Sequence, residues 1–179
     1  MTREVVIYPD RRLKSPAVPI GEVGPAARRL AKQLEQTARA YPHSVGLAAP
    51  QIGLMWRMIF VDCTGHKKVP DPRSPRILIN PRVTASDGGE VGREGCLSLP
   101  DITANVRRAI RIEVAGRDLD GRAVRVEIGG FEARVVLHEI DHLDGVLILD
   151  RVASLATDVF PRKIRTTTAA ALAPSTAAR

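Results

Sequence analysis

Residues 131–143, FEARVVLHEIDHL, decide how the rest of the chain is read. The pattern is helical and almost wholly apolar outside a few charged positions. Asp144-Gly145 follows, and a glycine just past a helix can take the left-handed conformation that caps it. Within the stretch His138 and His142 are spaced i, i+4, so they share one face of the helix, one turn apart. Two imidazoles placed in this way can bind one divalent ion at about 2.0–2.1 Å. Glu139, beside the first histidine, can reach a water on that ion and take its proton. The alternative is a pair of core or surface histidines beside a solvated carboxylate. The apolar flanks Val135, Val136, Leu137 and Leu143 weigh against it, because burying charged side chains on such a helix is costly unless they are paired or metal-bound.

A catalytic ion needs three protein ligands and one open position. Upstream, Glu94-Gly95-Cys96-Leu97-Ser98 offers Cys96, between strand-like segments, as the third. Its other reading is a small buried hydrophobe. Cys63 ends the apolar run MWRMIFVDC (55–63) and reads as core, while His43 and His66 lie in polar loops and read as surface residues. A thiolate ligand is soft, which suits Fe²⁺ or Zn²⁺ over Mg²⁺ or Ca²⁺.

Around this helix the chain reads as short β-strands. Residues 4–20 begin with a short apolar strand broken at Pro9, Pro16 and Pro19. Residues 23–41 form a helix, with Leu30, Leu34 and Ala38 at helical spacing and Pro42 ending it. GLAAPQIG (46–53) reads as a turn-rich apolar loop, 55–63 as a strand, and 77–79 as another, stopped by Asn80-Pro81. Residues 83–128 alternate in the manner of a β meander, with turns at Gly88-Gly89 and Asp120-Gly121. VLIL (146–149) reads as a final strand. Sheets with one central apolar helix predict an α+β fold: short, mostly antiparallel β-sheets packed around a helix that carries HExxH. The 179 residues fit a single catalytic domain over 1–165, with a low-complexity, flexible C-terminal tail over 166–179.

Composition narrows the class. With 44% hydrophobic but only 3% aromatic residues, the core must be built from Val, Ile, Leu and Ala. The net charge of +7 favours polyanions such as RNA or acidic lipid, or is simply an Arg-rich surface kept for solubility, since no compact Lys/Arg run exists. Two cysteines are too few for a disulfide framework. No stretch approaches the roughly 20 apolar residues of a membrane span, and no signal-peptide pattern opens the chain. The expectation is a cytoplasmic protein with no membrane and no DNA partner.

GLAAPQ (46–51), EGCLS (94–98) and HEIDH (138–142), in that order, resemble the three signature motifs of the peptide deformylases. INP (79–81), Val106-Arg107-Arg108, GRDLDG (116–121) and the opening VVIYPDRRLKSPAVPI also match, so the resemblance covers roughly residues 4–150. It implies hydrolysis of the N-formyl group from the formyl-methionine of nascent polypeptides, with release of formate. It also implies Cys96, His138 and His142 as metal ligands, with a water in the fourth position. By the same resemblance Glu139 is the acid/base, Gln51 and the backbone N–H of Leu97 hold the oxyanion, and Gly46 contacts substrate through its backbone. Fe²⁺ is the ion implied in the cell, with Zn²⁺, Ni²⁺ or Co²⁺ also possible, and the basic surface suggests contact with the ribosome.

Two positions depart from that pattern. Ser44 stands where the family usually has Gly, and is strained if its φ is positive. Leu137 stands where Gln usually precedes the first histidine, which predicts apolar surroundings for it and altered tuning around the ligands. Two rivals follow. HEIDH alone fits a zinc peptidase, although a Cys ligand upstream does not. Ser44, Leu137 and the basic surface fit a non-catalytic binding homologue, against which stands the retention of every ligand, Glu139 and Gln51.

Overall fold

The computed structural model describes residues 2–69 and 75–162; the proposed tail over 166–179 lies outside the described residues. Eight strands and three α-helices follow one another in chain order: α1 (Pro25–Ala40), β1 (Gly46–Ala48), β2 (Met58–Val61), β3 (Arg76–Asp87), β4 (Glu90–Cys96), β5 (Leu99–Arg108), β6 (Arg111–Arg117), β7 (Ala123–Gly129), α2 (Gly130–Leu143), α3 (Leu155–Asp158) and β8 (Val159–Pro161). They form a five-stranded sheet, ordered β1-β2-β3-β6-β7, and a three-stranded sheet, ordered β4-β5-β8. Every strand pairing is antiparallel. The expected α+β architecture is therefore present, with HEIDH on α2.

Strand β2 shows why the apolar run at 58–61 is continuous rather than alternating. Met58 and Phe60 face α1, in a cluster with Leu30, Leu34 and Ile79. Ile59 and Val61 face the opposite way, in a cluster with Val136, Ile140 and Leu143 of α2. Successive side chains of a strand point to opposite faces, so a strand between two helices must be apolar at every position. A third cluster, with Leu13, Cys96, Leu99, Val106, Leu147 and Ile148, underlies the three-stranded sheet. Gly145 has φ 71°, the left-handed conformation expected past the end of α2.

The structure corrects four element assignments. The segment opening the chain is not a ladder strand: the Val6 amide donates to the Gln51 carbonyl (2.7 Å) and the Tyr8 amide to the Ser98 carbonyl (3.0 Å), so alternate residues serve different segments. GLAAPQIG is not only loop, since β1 and a 3-10 turn, Ala49–Ile52, lie within it. Asn80-Pro81 does not stop the strand; β3 runs through on a register shift between Ile79 and Arg82, with Asn80 at φ 51°. The Asn80 side chain secures the irregularity, accepting from the Ile20 amide and donating to the Ile20 carbonyl, each at 2.8 Å. Finally, VLIL forms no strand. The Asp150 carboxylate accepts from the Leu147 amide (2.7 Å) and folds the chain into a 3-10 turn, Ile148–Asp150, which sends both Leu147 and Ile148 into the third cluster. No signal in the sequence had pointed to α3 or β8.

Candidate metal centre

Helix α2 brings Phe131, Val135, His138, Glu139 and His142 along one side at helical spacing, and all but His142 line a cleft of about 350 Å³. The sequence placed Cys96 only near a strand end. In the structure it ends β4, where the pairing shifts register between Gly95 and Cys96 before the turn at Leu97 and Ser98. This brings its sulfur inward, 3.2 Å from Nε2 of His142. One ligand atom each from Cys96, His138 and His142 lies within 4.8 Å of the other two. A larger cavity, about 660 Å³, lies elsewhere, over β6, β7 and the start of α2, and contains neither cysteine nor histidine.

The electrostatics of the three groups are those of a cation site. Burial would push the Cys96 thiol up, but His142 and His138 beside it drive it well below its ordinary value. Burial would likewise lower His138, but hydrogen bonds to Cys96 and Glu94 raise it well above its ordinary value. A buried thiolate facing two imidazoles is a soft donor set with the composition of a divalent transition-metal site. Burial also raises Glu139, to about 7. Among the described residues its Oε2 is buried with no hydrogen-bond partner, beside Cys96, His138 and His142. A hydrated divalent ion fits both observations: three donors to hold it, and an orphaned carboxylate oxygen to receive a proton from its water.

Behind these three side chains lies a charge network that the motifs alone did not disclose. Nδ1 of His138 is 2.9 Å from Oε2 of Glu94. Burial opposes ionisation of Glu94, but hydrogen bonds from His138 and Arg108 hold it down at about 2. The carboxylate is therefore an acceptor and Nδ1 a donor, which leaves Nε2 of His138 as the nitrogen that a metal ion would engage in place of a proton. Arg108 grips Glu94 with two bonds of 3.0 Å and reaches Asp141 with Nη1, while Arg151 holds the other side of Asp141 at 2.6 Å. Glu94 and Arg108 stood in the quoted motifs, but nothing in their spacing assigned them to one another.

The β1 edge supplies the opposite wall. The Ala48 amide donates to Oε1 of Gln51 (2.9 Å), which turns Nε2 toward the Cys96 sulfur (3.5 Å) and the Ser98 hydroxyl (3.4 Å). A Cβ on Gly46 would stand 2.6 Å from Oε1 of Glu139 and 2.9 Å from Val135, so only glycine lets backbone and carboxylate approach this closely. Leu97 lines the same cleft. Ser44 is free of the feared strain, because its φ is not positive, and its hydroxyl donates to the Gly46 carbonyl at 3.2 Å. Leu137 packs against the apolar cluster of Ile140 and Leu143, in the apolar surroundings expected for it. Cys63 is buried in that cluster, its thiol pushed up to about 12 by burial and then by Glu132.

The sequence matches the polypeptide deformylase family over residues 2–158. The chain belongs to that family. A peptide deformylase of Thermodesulfovibrio yellowstonii is 38% identical over 163 residues, 91% of this chain and 96% of the relative. That of Thermomicrobium roseum is 42% identical over 156 residues, 87% of this chain and 88% of the relative. Among solved structures, the peptide deformylase of Thermotoga maritima superposes with TM-score 0.78 at 34% identity, covering 86% of this chain and 99% of that one. A Synechococcus elongatus peptide deformylase, solved in complex with actinonin, gives 0.77 at 34% identity, covering 86% of this chain and 80% of that one. The resemblance read from three short motifs thus extends through the fold. The chain is a metal-dependent hydrolase that removes the N-formyl group from nascent polypeptides and releases formate.

Proposed function

We propose that Cys96, His138 and His142 hold one divalent ion and that Glu139 is the acid/base of the deformylation. The observation that carries this reading is the juxtaposition of a depressed thiol, two imidazoles and a buried carboxylate with an unpartnered oxygen. When bound, the ion supplies Lewis acidity and lowers the pKa of a coordinated water toward neutrality. Oε2 of Glu139 takes the proton of the attacking water, and Glu139 returns it to the amine that leaves the formyl carbon. Nε2 of Gln51 and the Leu97 N–H face the oxygen of that carbon as it becomes an oxyanion; one such donor contributes about 3 kcal/mol. The Gly46 backbone aligns the substrate chain. Val45, Leu97, Phe131 and Val135 give the cleft an apolar side against which a methionine side chain can lie.

Iron is the proposed ion in the cell, as the family resemblance implies; the soft thiolate donor suits Fe²⁺ or Zn²⁺ alike over Mg²⁺ or Ca²⁺. The test is formate release from formyl-Met-Ala-Ser by protein purified without air, with metal content measured on the same sample. Thiolate oxidation to sulfinic and sulfonic forms is essentially irreversible, so activity should decay in air with Fe²⁺ and persist with Zn²⁺ or Ni²⁺. Equal decay with all three ions argues against iron. No helix among the described residues is long and apolar enough to cross a membrane. A cytoplasmic location and contact of the basic surface with ribosomal RNA complete the proposal. The RNA contact predicts co-sedimentation with ribosomes that weakens as salt rises.

A further inference from the structure

We infer that Arg162 is a specificity-determining residue of the cleft, selecting peptides with an acidic side chain just after the formyl-methionine. The inference rests on the deformylase site assigned above. Arg162 follows β8, past the end of the family-matched span at residue 158, and lines the same cleft as Gly46 and Glu139. Its position is fixed from several sides. Strand β8 pairs with β5 through Ile102↔Pro161 and Thr103↔Phe160, and the Arg162 amide donates to the Asp101 carbonyl at 2.7 Å. The Arg93 guanidinium lies 3.4 Å over the Phe160 ring. Gly95 leaves room for the Arg162 guanidinium, because a Cβ there would stand 2.5 Å from its Nη2.

A guanidinium presents five donors. Among the described residues that of Arg162 makes one side-chain hydrogen bond, from Nη2 to the Cys96 carbonyl at 3.2 Å, and its Nε has no partner. The charges lining the cleft do not balance. Arg134 is bound to Glu94 and to the carbonyls of Val106 and Glu90, and Glu94 is further gripped by Arg108. Neither Arg93 nor Arg162 has a carboxylate within ion-pair distance among the described residues. Arg162 bonds the carbonyl of Cys96 itself, and an extended peptide advances roughly 3.5 Å per residue. The first side chains beyond the formyl-methionine therefore pass this guanidinium, whose planar fork matches a carboxylate.

The experiment compares kcat/KM for formyl-Met-Glu-Ser and formyl-Met-Lys-Ser, with formyl-Met-Ala-Ser as reference, on the metal-loaded enzyme. The expected preference for Glu over Lys is about tenfold at low salt, carried by KM, and falls to about threefold or less near 1 M salt. Arg162→Met should abolish the preference, and Arg162→Lys should restore most of it, because the preference follows charge; a merely structural role would not make selectivity follow charge. Equal rates on the Glu and Lys peptides overturn this assignment alone, as does a preference that survives in folded Arg162→Met. Should Arg162→Met fail to fold, a wild-type preference unmoved by salt overturns it equally. Absence of formate from all three peptides overturns the deformylase site and this inference with it.

Discussion

Glu132 and Glu139 lie two turns apart on α2, both buried, at 6% and 4% exposure. Glu132 stands 3.1 Å from the Arg76 guanidinium, although the geometry there is that of an ion pair without a hydrogen bond. Among the described residues Glu139 has no guanidinium or ammonium in ion-pair contact and an Oε2 with no partner, and its pKa is lifted to about 7, chiefly by burial. The same side chain at the same depth on one helix is thus put to opposite uses. A buried carboxylate answered by a guanidinium serves packing. One left partly unanswered is poised to exchange a proton near neutral pH.

The largest expected effect separates the two. Glu139→Gln should lower formate release by about 10²–10⁴-fold while metal content stays at one ion per chain. Glu132→Gln should leave kcat within a few fold and instead lower stability by about 3 kcal/mol, because Arg76 is left buried without a charge partner. Formate release and metal analysis on both proteins, with melting curves, decide it. Near-normal activity in Glu139→Gln, or equal losses in both, would erase the distinction.

Next comes the network behind the ligands. Arg108→Met leaves Glu94 and Asp141 facing one another's charge without their shared cation. Arg108 holds Glu94, which in turn orients His138, so losing this support should weaken metal affinity by roughly 10-fold, the low end for loss of a direct orienting partner. Competition with a chelator measures this. Arg76→Met, at the other end of the helix, should leave metal affinity unchanged. If it lowers affinity as much, the two clusters are not functionally distinct.

The pH profile tests the raised pKa of Glu139. The group is a base only when ionised, so kcat/KM should fall about tenfold per pH unit below its pKa. That pKa is about 7 from the protein alone, and the positive charge of a bound ion favours the carboxylate and moves it down. The acid limb should therefore have its midpoint at or below pH 7 and be missing in Glu139→Gln. A limb centred above pH 7 would contradict this sign.

Much of this was legible in the sequence where a local pattern carried the information. The i, i+4 histidines, the glutamate between them and the amphipathic register of α1 are short-range signals. Cys96 was a candidate from its place between strand-like segments as well as by resemblance, and Gln51 and Gly46 by motif resemblance alone, while the close approach of Gly46 to Glu139 needed the packing of β1 on α2. Long-range partners had no local signature: Glu94 and Arg108 are joined across a hairpin, and Val6 and Tyr8 donate to two segments far along the chain. VLIL misled because an apolar run is compatible with a strand or with a capped turn, and Asp150 decided between them. Arg162 went unnoticed because one arginine in the short run Arg162-Lys163-Ile164-Arg165, beside a low-complexity stretch, differs in no local way from its neighbours.

The smallest effect concerns Leu137, directly before His138. A polar residue is usual there in the family, so Leu137 was a candidate for a crippled site. The structure places it partly buried against the cluster of Ile140 and Leu143. Exchanging a polar contact for apolar groups on both sides can be nearly neutral, whereas leaving one partner unpaired costs about 1–3 kcal/mol. The histidine it precedes is already oriented from the other side by Glu94, at 2.9 Å. Leu137→Gln should therefore raise kcat/KM by no more than about tenfold, which is ~1.4 kcal/mol of transition-state stabilisation. The new amide would meet an apolar wall, so a small loss of stability is the accompanying expectation. A gain much above tenfold in steady-state assays would mean that Glu94 alone does not hold His138 in register, and that the contrast between the catalytic and structural ends of α2 extends to a position assigned here to packing.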